Sequence, residues 1–387
     1  MHIRSKGGDD KIWVDPNINL SVTVDGGAGN DRIEALSKGS KKVYGGAGDD
    51  HITLGAGTGY AEGNDGNDTL LGGSGKTVMY GNNGKDLLIS GVGAKGTFAH
   101  MDGGNDDDLL ISQSPFNVVH GGNGNDLMLG VGRTTFYTGR GHDTVISNTQ
   151  DDKIHASPGD RISRVPGSTL TQVKISDAGS EGLNLQGSET VKQRAQDDLE
   201  LLRHSPTAQK MLNELDAAAK RTGAPINIIE THDGTQYSFA NDFTRETDRQ
   251  LKDYDDLENF EKVGFIKNDI RGSPANGASI FNNPSIIYSP TEVSPLVDLY
   301  HEMAHAYNGA HGTLLPGTTE KSDLLGPEPN LERQAIGIET DAPAFDFDND
   351  PTTPPTTANP KAFTENGLRE EMGFPLREKF YIAPHEE

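Results

Sequence analysis

Gly26-Gly27-Ala28-Gly29-Asn30-Asp31-Arg32-Ile33-Glu34 returns as Gly45-Gly46-Ala47-Gly48-Asp49-Asp50-His51-Ile52-Thr53 and as Gly121-Gly122-Asn123-Gly124-Asn125-Asp126-Leu127-Met128-Leu129, all matching GGxGxDxUx, with U a large apolar residue. Partial copies centre on Asp10, Asp68, Asp86, Asp108 and Asp143, so the aspartates step along the chain by 21, 19, 18, 18, 22, 18 and 17 residues, two nonapeptides at a time. Two apolar columns keep the same register. Ile12, Ile33, Ile52, Leu70, Leu88, Leu110, Met128 and Val145 follow the aspartates, and Val24, Val43, Ala61, Met79, Met101, Val119 and Phe136 precede the glycines. A flexible Gly/Asp-rich segment has no reason to hold such a register, so the period specifies stacked turn-and-strand units. Glycine reaches the backbone conformations of the turns, and aspartate carboxylates with turn carbonyls offer a hard cation its oxygen ligands.

Over residues 5 to 160 these units resemble the RTX calcium-binding repeats. The resemblance implies an N-terminal parallel β-roll in which two nonapeptides make one coil and several structural Ca2+ ions lie between turns stacked along an edge. The implied ligands are Asp31, Asp50, Asp68, Asp86, Asp108, Asp126 and Asp143. Degenerate units such as Gly55-Ala56-Gly57-Thr58-Gly59, Gly72-Gly73-Ser74-Gly75 and Gly130-Val131-Gly132 keep glycines without the aspartate, so only one edge is expected to bind calcium. Asp106 replaces a motif glycine in the Asp108 copy, and Lys85 crowds the Asp86 copy. Sites with one aspartate per turn are expected to be weak, in the roughly millimolar range of extracellular modules, and unfilled in calcium-poor cytosol. Chelation is therefore expected to melt residues 5 to 160.

With 387 residues the chain exceeds one ordinary domain of roughly 150 residues. The expected division is a roll at 1–165, exit strands and linker at 166–189, and a C-terminal α+β zincin-type domain at 190–387. The absence of cysteine leaves His and carboxylates as the only ligands for a zinc ion. A formal net charge of -24 argues against nucleic acid or an anionic membrane as partner. No apolar run is long enough to span a bilayer, and the N-terminus lacks a signal-peptide pattern.

The chemistry-bearing string is His301-Glu302-Met303-Ala304-His305. On a helix both imidazoles reach one metal ion, while Glu302 addresses the water beside it. Ser294-Pro295 supplies the helix start, and Asn308-Gly309 is expected to close it after Tyr307. Helices are also expected from Val191 to Leu202 and from Pro206 to Lys220, with strands at 226–231 and 278–288. An edge strand just before the metal helix would suit an extended peptide substrate.

A catalytic Zn2+ takes three protein ligands and keeps one position open. His311 fits the HExxHxxGxxH spacing of the metzincins, with Asn308 in the glycine position, where asparagine tolerates a left-handed backbone. Glu328, Glu332 and Glu339, in or beside a second short helix, are the rival ligands. HEMAHAYNG, then NLERQAIG, then the string from Glu365 to Tyr381, resemble the NleD-type effector zinc metallopeptidases, bacterial proteases delivered into host cells, some of which cut signalling kinases. On that resemblance Glu332 is the preferred third ligand, with Glu339 next and His311 as fallback. The implied mechanism has Glu302 as general base, and Tyr381, then Arg377, with Arg369 also considered, as donor to the oxyanion. Asp346, Asp348 and Asp350 match the opening of an EF-hand loop, but its sixth-position Gly and twelfth-position Glu are missing, so a loop at the cleft rim is expected.

The leading expectation is thus a secreted zinc metalloendopeptidase with one catalytic zinc, acting as a monomer on a protein or peptide substrate such as a host signalling protein. The competing class is a calcium-dependent surface or adhesion protein whose C-terminal half binds without catalysis. The secreted serralysins also join HExxH to RTX repeats, but there the catalytic part comes first.

Overall fold

The computed structural model describes residues 1–247, 260–286, 294–320, 326–348 and 350–380. The first of its two units, residues 1–176 with 193–205, is the roll. Its short strands alternate between two parallel sheets. One sheet holds ten strands from His2–Gly7 to Thr169–Gln172, the other nine from Lys11–Val14 to Arg161–Ser163, and each strand pairs with the one two further along the chain. The registers follow the sequence columns, Val24 beside Val43 beside Ala61 and Ile33 beside Ile52 beside Leu70, and these side chains meet as a buried apolar core between the sheets. The expected β-roll is what the chain forms.

Helix α1, Glu189–His204, differs from its sequence reading. Residues 193–205 group with the roll rather than with the C-terminal unit. Arg194 is the reason. Its guanidinium lies 3.2 Å from the ring centroid of Tyr80 and its Nη1 is 2.9 Å from Asp198 Oδ1, while its Nε is 4.0 Å from Glu62 Oε1, all of these side chains being buried.

The second unit, residues 177–192 and 206–387, carries helices α2 (Pro206–Thr222), α3 (Asp242–Thr247), α4 (Pro295–His311), α5 (Asn330–Ile336) and α6 (Glu365–Met372). Its four-stranded sheet runs Leu183–Gln186, Ile226–Glu230, Ser279–Asn282, Gln236–Ser238, the last strand antiparallel to its neighbour. The strand expected over 278–288 is described only at Ser279–Asn282, and residues 287 and 288 lie outside the described residues. It sits inside the sheet. The edges are Leu183–Gln186 and the short strand Gln236–Ser238, so the expected placing of the edge strand is corrected. Among the described residues no helix is long and apolar enough to cross a membrane.

Candidate metal centre

Helix α4 begins where the sequence places it. The Ser294 Oγ accepts from the Leu296 N–H at 3.3 Å, and Pro295 takes a first-turn position where no N–H is needed. Its end is corrected. The helix passes Asn308 and Gly309 and stops at His311, with Gly312 left-handed at φ 65°. Asn308 stays helical, its amide bonded back to the Ala304 carbonyl at 2.9 Å. Gly309 is there for space, since a Cβ on it would lie 2.2 Å from the Tyr237 hydroxyl. The metzincin turn therefore does not form. His311 is carried away along the helix, its Nδ1 2.8 Å from the Tyr307 carbonyl and its Nε2 3.0 Å from Arg221.

One turn back, three ligand atoms converge. The Nε2 atoms of His301 and His305 are 3.2 Å apart, and Oε2 of Glu332, from the first turn of α5, lies 3.2 Å from one and 3.3 Å from the other. Ligand atoms at zinc distances of about 2.0–2.2 Å and tetrahedral angles lie about 3.3–3.6 Å from one another, so this triangle has the size of one face of a zinc tetrahedron. Two imidazole nitrogens facing each other beside a carboxylate form a donor set that suits a metal cation. Among the described residues these three form the one group of His, Cys, Asp or Glu side chains able to converge on a metal ion.

The tautomer of His301 is set from outside the triangle. Its Nδ1 is 2.9 Å from Oε2 of Glu365, at the start of α6, which directs the Nε2 lone pair toward the triangle. Glu365 is fully buried and gripped by Arg369 Nη1 at 2.9 Å on one oxygen and Arg377 Nη1 at 2.9 Å on the other. Burial raises its carboxyl, but His301, Arg377 and Arg369 together hold it down to about 2. Glu365 belongs to the sequence string weighed above, yet no local pattern marked it, because its partner is 64 residues earlier.

Glu302 faces the same region. Burial pushes its carboxyl up to about 7 against the pull of His305 and His301, and it accepts a hydrogen bond from the Tyr237 backbone N–H on the sheet's edge strand. The other candidates stand elsewhere. Glu328 is bonded to Arg333 at 2.6 Å and to the Phe380 N–H at 3.0 Å, and Glu339 is exposed, with its backbone carbonyl bonded to Arg333. Arg377 spends its guanidinium on Glu365 and on the carbonyls of Lys379 and Phe380, which makes it a support of His301 rather than a free donor. Arg369 is likewise committed to Glu365 and to the Pro375 carbonyl. Tyr381 lies outside the described residues.

On the aspartate edge of the roll, Oδ1 of each carboxylate accepts the backbone N–H of the preceding aspartate. The bonds are Asp31 N–H to Asp50, Asp50 to Asp68, Asp68 to Asp86, Asp86 to Asp108, Asp108 to Asp126 and Asp126 to Asp143, at 2.7–2.9 Å. In all seven aspartates from Asp31 to Asp143, Oδ2 is buried with no hydrogen-bond partner among the described residues. A Cβ at Gly45 would sit 2.2 Å from the Asp50 Oδ2, and one at Gly81 at 2.2 Å from that of Asp86, so these glycines keep a space open beside the unpaired oxygens. A column of buried, unpartnered carboxylate oxygens suits Ca2+.

A family model for peptidase family M91, described as an effector protein, matches residues 180–380, more than half of the chain. A model for the RTX calcium-binding nonapeptide repeat (4 copies) matches residues 22–37, 42–60, 62–94, 102–132 and 129–162. No curated protein and no solved structure matches significantly.

Proposed function

Because the chain belongs to the effector proteins of peptidase family M91 and carries RTX calcium-binding repeats, we propose that it is a secreted zinc metalloendopeptidase that cuts host proteins. The observation that carries this reading is the 3.2–3.3 Å triangle of His301, His305 and Glu332. These three residues would hold the zinc, which when bound lowers the pKa of a water and polarises the scissile carbonyl.

The chain's own groups supply the rest. Glu365 keeps the His301 ring in the tautomer and orientation that ligation needs. Glu302, with a carboxyl poised near neutrality, takes the proton of the attacking water and returns it to the leaving amine. The Tyr237 N–H holds that carboxylate beside the edge strand, along which an extended peptide could lie as an added strand. On the roll, Asp31, Asp50, Asp68, Asp86, Asp108, Asp126 and Asp143 would take the calcium ions. Tyr381 stays the proposed oxyanion donor. Secretion, delivery into a host cell and action as a monomer belong to the same proposal.

The test is Glu302→Ala in the full-length protein, assayed against a mixed peptide library, with zinc measured by elemental analysis. Cleavage should fall by roughly 10²–10⁴-fold while one zinc per chain is retained. Unchanged cleavage, or a wild-type protein without stoichiometric zinc, would overturn the reading.

A further inference from the structure

Lys41 is fully buried on the roll edge opposite the aspartates. Its Nζ donates to the carbonyls of Ser37 at 3.0 Å, Gly39 at 2.8 Å and Ala56. Ser37 and Gly39 belong to the turn that leads into Lys41, and Ala56 belongs to the next turn of the stack. One ammonium therefore joins two successive turns, using its three protons on three carbonyls. No carboxylate among the described residues pairs with it.

The same register position recurs along the sheet. Lys41 aligns with Gly59, Thr77, Ala99, Asn117 and Thr134 in consecutive strands. Asn117 repeats the arrangement with a neutral amide, its Nδ2 donating to the carbonyls of Ser114 at 2.8 Å and Arg133 at 3.3 Å. Thr134 donates to the Gly132 carbonyl at 2.8 Å and Thr77 to that of Gly75 at 3.4 Å. Stacked turns leave buried carbonyls that require a donor or a cation. On the aspartate edge the carboxylates are the unsatisfied groups and await an ion. Here side chains of the chain itself meet the carbonyls.

We propose that the Lys41 ammonium is the resident cation of this second edge, a tethered counterpart of calcium that ties residues 36–40 to residues 55–58 without any dissolved ion. Calcium would be a poor occupant at Lys41, since it takes 6–8 oxygens that include carboxylates, and the partners of this ammonium are all carbonyls. Burial draws the Lys41 amine down to about 8, which leaves it protonated at neutral pH. The roll then has one edge that depends on calcium and one that does not.

Full-length wild type, Lys41→Met, Lys41→Asn and Lys41→Asp would be compared by thermal unfolding in calcium and in chelator, with bound calcium counted by isothermal titration. Lys41→Met should lower the melting midpoint by the same shift in both conditions and leave the calcium count unchanged. Lys41→Asn, which installs the group Asn117 already uses, should recover most of that loss. Lys41→Asp should melt early in chelator, recover in calcium and bind one additional ion per chain, because it brings a carboxylate to the waiting carbonyls. Should Lys41→Met fail to fold, the Lys41→Asp arm still decides. The proposal is overturned if Lys41→Met melts like wild type, if its deficit disappears on adding calcium, or if Lys41→Asp neither recovers in calcium nor gains an ion.

Discussion

Nδ1 of His301 and Oε2 of Glu365 are 2.9 Å apart, and both side chains are buried. This contact fixes which nitrogen of His301 faces the triangle, and the two arginines behind it keep Glu365 ionised. Glu365→Gln keeps the shape but can present an N–H instead of an acceptor to Nδ1, favouring the wrong tautomer. Zinc affinity, measured by competition with a chelating dye, should fall about 10–100-fold. Arg377→Met should fall in the same direction by less, because Arg369 remains. Wild-type affinity in Glu365→Gln would refute this role.

Glu332 and His311 can be separated by removing each. Glu332 contributes one corner of the triangle, so Glu332→Ala should lose stoichiometric zinc. His311 is occupied by the Tyr307 carbonyl and Arg221, so His311→Ala should keep zinc and cleavage. Elemental analysis of the two purified variants decides the matter, and the reverse pattern would restore the metzincin reading.

The roll was legible in the sequence because its signal is local and repeated, with every Gly-Asp turn bringing its own inward apolar residue eighteen or so positions after the last. The two histidines were legible for the same reason, their geometry being that of a single helical turn. Glu332 required a resemblance to separate it from Glu328 and Glu339, since three glutamates in twelve residues read alike until Arg333 is seen to claim Glu328. Glu365 and Arg194 were not legible. Each has partners set by chain folding over long separations, Glu365 with His301 and Arg194 with Tyr80 and Glu62, and each reads in isolation as an exposed helical charge.

Arg194 gives a prediction for the roll. Around it Glu62 and Asp198 are buried, and burial together with the nearby Asp102 pushes the Asp197 carboxyl up. Arg194→Met preserves most of the packing but takes the counter-charge from the buried Asp198, a loss of about 3–5 kcal/mol for a broken buried pair. Arg194→Lys should recover little, because an ammonium cannot both lie flat on the Tyr80 ring and pair with Asp198 as the guanidinium does. Urea unfolding of the full chain, followed by far-UV circular dichroism, reads both. A midpoint unchanged in Arg194→Met would show that the docked helix adds nothing to the roll.

Acid should act on the roll in opposite senses with and without calcium. Burial pushes the carboxyls of Asp50, Asp68 and Asp86 up to about 6, 7 and 8, with neighbouring aspartates adding to the rise. In the unfolded chain they titrate near 3.9. Between about pH 4 and pH 8 the ion-free fold therefore holds protons that the unfolded chain has released, and its stability must decline as pH rises through that window. In chelator, the roll should melt at a higher temperature at pH 5 than at pH 8. Calcium requires the ionised carboxylates and competes with the same protons, so the increment it adds should be largest at pH 8 and shrink toward pH 5. Thermal melts at both pH values, with calcium and with chelator, measure the four quantities. A chelated roll that melts earlier at pH 5 than at pH 8 would mean that its aspartates are ionised without an ion, and that something other than calcium satisfies their Oδ2 atoms.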